Sequence, residues 1–203
     1  MNIKEKWIEA CNKHKIYFFI TENIRPKRLQ RLLAIACCNH IKYLLKDQRS
    51  LTALEVAELH ADGKASNEEL KIANENAWIP SAASYCTDAA AYHNAAYYAS
   101  LSNSHISNGI CEITIHNSKD REHQGKLFEI MFQHNFEINW KNDTTTHIAQ
   151  SIYDTKNWYD FPILADALED AGCADAEVLN YCRSEGPFFR GCRILDELLE
   201  LRK

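Results

Sequence analysis

The sequence predicts an all-α fold, and three observations carry that prediction. Apolar residues recur at helical spacing through most of the chain. Helix start and stop signals are dense, above all from Asp160 to Leu199. With six glycines and four prolines in 203 residues, the chain lacks the many tight turns that a β-sandwich needs. The expectation is one domain over 1–203, a compact array of roughly nine short-to-medium helices, with one short strand or extended segment near 109–140. Two lobes, 1–101 and 109–203, joined by the polar loop 102–108, are the alternative. No fixed-period repeat points to a solenoid.

The elements follow in order. Residues 2–20 predict one helix, with Trp7, Ala10, Cys11 and His14 on one face. Arg25-Pro26 opens a second, because a proline loses least at a first helical position. Its stripe runs through Leu29, Leu33, Cys37, His40 and Leu44. A third spans Arg49 to Ala61 and stops at Gly63, a natural left-handed cap. Ser66 with Glu69 reads as a capping box for a fourth helix, expected to end before Pro80.

Residues 81–101 are rich in Ala and Tyr near helical spacing, and 102–108 is a polar loop. Residues 109–116 read as helix or strand, with helix preferred. Leu127, Phe128, Met131 and Phe132 share a helical side within 125–133, and 135–142 reads as extended. Asp143 is expected to cap the next helix, through Ile148, Ile152 and Tyr153. Asp160 and Pro162 start another that Gly172 ends. Asp175 caps a short helix to Arg183, and the Gly186-Pro187 turn leads to a last one through Leu195, Leu198 and Leu199.

Composition narrows the function classes. A net charge of −5 without a long basic block argues against nucleic-acid binding. No stretch approaches the ~20 apolar residues that span a bilayer, and the N-terminus does not read as a signal peptide. Eight cysteines in such a chain are expected as reduced thiols. The expected location is the cytoplasm.

Two blocks, residues 28–70 and 147–199, carry a family resemblance. The pieces are Ala36-Cys37-Cys38, Glu55-Val56-Ala57-Glu58, Ala61-Asp62-Gly63 and Pro162 to Cys173, with Cys182, Gly186-Pro187 and Arg190-Gly191-Cys192. Together they resemble an uncharacterised bacterial family abundant as paralogues in planctomycetes, with an "ACC…AVEVAE…ADG" helical block and a "PILADALEDAGC…GPxxRGC" ending. The resemblance implies a cytoplasmic, mainly helical protein and no activity. Two departures stand out: Phe189 falls in the neighbourhood of a His–Val pair, and Arg193 where members often have Trp. A catalytic His in that turn is therefore not available.

Four constellations are candidates for chemistry. Cys11-x-x-His14 and Cys37-x-x-His40 each set Cys and His on one helix face, and two such helices together suit a tetrahedral zinc site. The plainer reading makes them core residues, free Cys behaving as a small hydrophobe; no cofactor is expected, with zinc as the alternative. Arg183, Arg190 and Cys192 flank the Gly186-Pro187 turn, where two arginines beside a helix start favour an anion. A thiol there would have a lowered pKa. The opposing reading pairs these arginines with Asp166, Glu169 or Asp170, or with loop carbonyls. Glu55, Glu58 and Asp62 share a helix side and are expected to form a solvated face. Tyr85, Tyr92, Tyr97 and Tyr98 form a candidate surface for a protein partner, or part of the core.

No nucleophile triad, phosphate loop or metalloprotease motif is present. The leading expectation is a non-enzymatic interaction or regulatory module with another protein as partner, in a setting such as a defence or toxin–immunity assembly. The alternative is a Cys/His metal-binding protein, or a small-molecule-binding enzyme using the Arg183–Cys192 turn.

Overall fold

A computed structural model of the chain describes residues 3–12, 16–23, 27–40, 42–83, 118–132 and 139–202. Regular structure among these residues is helical, with no strand. The chain divides into two units, Met1–Phe128 and Glu129–Lys203. The linker expected at 102–108, the ambiguous stretch 109–116 and most of the Ala/Tyr-rich run lie outside the described residues. No helix among the described residues is long and apolar enough to cross a membrane.

In the first unit, α1 (Ile3–Asn12) and α2 (Ile16–Asn23) replace the single helix expected over 2–20. The Trp7 and Phe19 rings lie 5.6 Å apart. Twelve residues of one straight helix would separate them by about 18 Å. The polar sequence Asn12-Lys13-His14-Lys15 offers no apolar stripe that would hold a continuous helix against a core.

α3 (Lys27–His40) begins after Pro26, as the sequence predicts. It buries Leu29 and every residue from Arg31 to Cys38, so it is covered on all sides rather than along one stripe. α4 (Gln48–Ala61) is capped by Asp47, whose carboxylate accepts from the Arg49 N–H. It ends as expected at Gly63: the Lys64 N–H donates to the Leu59 carbonyl at 2.8 Å and Gly63, at φ +70°, donates to His60. This is the double bond pattern that satisfies the last carbonyls of a helix.

The capping box is also formed. Glu69 N–H donates to Ser66 Oγ at 3.2 Å, and Ser66 N–H donates to the Glu69 carboxylate at 2.7 Å. It starts α5 (Asn67–Ala83), which continues through Pro80 instead of stopping before it. A mid-helix proline costs about 3 kcal/mol through its missing N–H and a ring clash. That penalty biases a boundary without dictating one. α4 and α5 meet through Ala53, Ala73 and Ala77, with Val56 packed beside them; such small side chains permit a close helix approach.

α6 (Ser118–Phe132) starts well before the expected Gly125. A Cβ on Gly125 would sit 3.1 Å from Lys4 Cγ and 3.4 Å from Trp7 Cδ1, so glycine lets α1 come close. There Trp7 stacks on Phe128 at 4.6 Å, and its indole N–H donates to the Arg121 carbonyl at 3.2 Å. Trp7 and Phe128 are fully buried.

The second unit holds α7 (Asp143–Thr155), a 3-10 turn (Trp158–Asp160), α8 (Phe161–Asp170), α9 (Ala176–Cys182) and α10 (Arg193–Leu198). The cap of α7 is Asn142 rather than Asp143. Asn142 Oδ1 accepts from Thr145 N–H at 2.8 Å, and Thr145 Oγ1 accepts from Asn142 N–H at 3.0 Å. A reciprocal pair satisfies two orphan donors where Asp143 would satisfy one. Pro162 lies in the first turn of α8, which closes at Gly172 (φ +93°). Asp175 caps α9 through the Glu177 and Val178 N–H groups.

The core of this unit is Ile152, Phe161, Leu164, Leu168, Cys182, Leu195 and Leu198, all fully buried. Its C-terminal end is tied down by Arg202, whose guanidinium donates to the Met131 carbonyl at 2.7 Å and lies 3.7 Å from buried Asp196.

Candidate binding groove at the Gly186-Pro187 turn

The second unit contains a cavity of about 550 Å³ lined by Trp158, Tyr159, Pro162, Ser184, Glu185 and Phe188. Its residues come from three places that the local sequence brings together. Lys156 adopts a left-handed conformation (φ 57°) that ends α7 and turns the chain into Trp158-Tyr159. Pro162, set in the first turn of α8, is exposed. Ser184, Glu185 and Phe188 belong to the loop between α9 and α10, whose Gly186–Pro187 peptide is cis.

That loop is tightly specified. Gly186 has φ +90°, and a Cβ there would stand 2.8 Å from the Phe188 backbone nitrogen. The Ser184 hydroxyl accepts from the Gly186 N–H at 3.1 Å, and the Tyr181 hydroxyl donates to the Pro187 carbonyl at 3.3 Å. Phe188 then lies face to face on the fully buried Phe161, 3.9 Å away at 10°. Tyr181 meets both rings edge-on, at 6.0 and 5.4 Å. Trp158 lies 6.3 Å from Phe161. Phe161 is therefore the common support under the groove, and edge and stacked aromatic pairs of this kind add about 0.5–1.5 kcal/mol each to burial.

What the groove offers outward is flat and apolar. Tyr159 is 92% exposed, and Ile163, one residue beyond Pro162, is 56% exposed. Glu185 and Ser184 supply the polar groups of the lining. A volume between about 300 and 1,000 Å³ with mainly aromatic lining and few polar groups is the usual form of a binding pocket.

The arginines named from the sequence take other partners. Arg183 bridges Asp166 at 2.8 Å and Glu169 at 2.5 Å, the local pairing that was the opposing expectation. Arg190 is buried; its Nε donates to the Tyr153 carbonyl at 3.0 Å, and its guanidinium lies 4.8 Å from the centre of the Tyr153 ring. Cys192 is fully buried, and burial pushes its thiol up to about 12. A neighbouring arginine would lower it, but here desolvation outweighs charge. The six described cysteines are all buried thiols.

Of the two Cys/His pairs, only Cys37 and His40 are both described, and they divide between core and surface. Cys37 is buried, whereas His40 is exposed and stacks on His123 at 3.8 Å. Burial lowers His123 to about 4, helped by the charges of His40 and Lys126. Cys11 is buried and raised to about 11 by that burial, and His14 lies outside the described residues. Among the described residues no group of three or more His, Cys, Asp or Glu is placed to hold a metal ion. The expected solvated carboxylate face holds for Glu55 alone: Glu58 is buried, and Asp62 accepts from Arg28 at 3.2 Å. Tyr85, Tyr92, Tyr97 and Tyr98 lie outside the described residues.

Sequence reasoning fixed on the turn and missed Trp158, Tyr159 and Phe188 as its outer surface. A signal was present: Trp158-Tyr159 follows polar Lys156-Asn157 directly and precedes Phe161-Pro162, an aromatic run at a chain reversal. Comparison of the chain with protein-family models, curated proteins and solved structures finds no match.

Proposed function

We propose that this chain is a non-enzymatic helical interaction module, and that it docks a protein partner at the aromatic groove beside the Gly186-Pro187 turn. One observation carries the reading: a 92%-exposed Tyr159 shares a cavity with Trp158, Pro162 and Phe188 above a buried aromatic support. Tyrosine and tryptophan are among the residue types that dominate binding energy at protein interfaces. The described thiols that would favour covalent or metal chemistry are buried and, at Cys11, Cys38 and Cys192, held protonated by desolvation. The resemblance to the planctomycete paralogues and the cytoplasmic setting it implies belong to the same proposal.

The test is site-specific photocrosslinking in the native host, with a benzophenone amino acid at Tyr159 and, as control, at the 71%-exposed Tyr43. A defined adduct from position 159 alone, abolished by Trp158→Ala, is the expected result. Indistinguishable adducts from both positions would remove the groove as the docking site.

A further inference from the structure

We infer that the groove takes an arginine-bearing segment of its partner. This rests on the docking reading above and adds the chemistry of what docks. The first observation is charge. Residues 154–185, which supply Trp158, Tyr159, Pro162, Ser184 and Glu185 to the groove, hold eight acidic and two basic side chains, a formal −6 against −5 for the whole chain. The remainder of the chain is thus slightly basic, and the segment that supplies most of the groove carries the excess of acid. Of the two basic groups, Arg183 is already bridged by Asp166 and Glu169. Glu185, in the lining itself, has no ion-pair or hydrogen-bond partner among the described residues.

The second observation is the kind of apolar surface. The lining presents indole, phenol and phenyl rings rather than branched aliphatic side chains. Aromatic faces carry negative potential and attract cations, and a planar guanidinium stacks on them while forking to a carboxylate. Lysine, a compact and strongly hydrated point charge, uses neither feature as well. An arginine stem also covers apolar surface such as Pro162 and Phe188 while its head reaches an acid. An acidic or purely aliphatic segment would meet like charge at Glu185 or leave that carboxylate desolvated.

The experiment titrates the full-length ¹⁵N-labelled protein with a capped hexapeptide of alternating arginine and glycine. Its citrulline counterpart, which is neutral and of nearly the same shape, and its glutamate counterpart are run beside it. The arginine peptide is expected to shift the amides of Tyr159, Ser184, Glu185 and Phe188 and the Trp158 indole N–H. Citrulline should weaken binding about tenfold, and Glu185→Gln about fivefold with an unchanged circular dichroism spectrum. Raising salt from about 0.05 to 0.5 M should weaken it further.

Equal or tighter binding of the citrulline or glutamate peptide at the same amides would overturn arginine selection while leaving the groove as a docking site. Arginine-peptide shifts elsewhere, or none, would also overturn it. The groove itself would then stand or fall on the Tyr159 crosslink, which does not depend on peptide charge.

Discussion

Arg190 shows how one residue type can be read two ways until its partner is known. Beside a glycine-proline turn, an arginine suggests an anion site. Here its Nε–H satisfies the Tyr153 carbonyl and its guanidinium covers the Tyr153 ring, inside the core. Removing a charged donor from a buried acceptor costs about 1.5–3 kcal/mol, and the lost cation–ring contact adds to that. Arg190→Ala is therefore expected to destabilise the protein by about 2–4 kcal/mol, read as a lowered urea midpoint at unchanged slope. Unchanged stability would return Arg190 to the ligand role. The opposing expectation for Arg183 was legible, because Asp166 and Glu169 stand near it across a short helical hairpin. The partner of Arg190 was not, since Tyr153 is 37 residues away and no local pattern joins them.

At the scale of elements, the legible signals were those in which a side chain or glycine satisfies its own backbone. Gly63, Ser66 with Glu69, Gly172 and Asp175 end or start helices where their chemistry requires it. Errors arose where tertiary packing overrode a local preference. The helix expected over 2–20 is two because Trp7 and Phe19 converge on Phe128. The groove was only half legible for the same reason: its turn is written locally, but its support is the stacking of Phe161 with Phe188, 27 residues later.

That support can be tested as a unit. Phe161→Ala removes a fully buried ring from beneath Phe188 and should cost about 3–5 kcal/mol in stability. Phe161→Leu retains apolar volume and should cost about 1.5 kcal/mol or less, yet shift the Phe188 and Trp158 resonances, since leucine offers no flat face. If neither substitution moved those resonances, Phe161 would not be what holds the groove in shape.

At the scale of the whole molecule, one buried histidine gives the first unit a sensitivity to acid. The His40–His123 stack lies in the first unit, between the end of α3 and the middle of α6. Burial holds His123 neutral, at about 4 against an ordinary 6.5. Between those values the unfolded chain binds a proton that the folded state refuses. Stability from this ring is thus complete above pH 6.5 and falls away as pH drops toward 4. A tenfold difference in proton affinity between the folded and unfolded chain is worth about 1.4 kcal/mol, and partial solvation of the ring reduces the whole effect to roughly 1–2 kcal/mol. Hydrogen exchange compared at about pH 7 and pH 5, corrected for intrinsic rates, is expected to show protection lost first in α3 and α6. His123→Phe, which keeps a stacking ring without a proton site, should abolish that pH dependence. Equal loss in both units, or persistence of the effect in the phenylalanine variant, would assign the acid sensitivity to other groups.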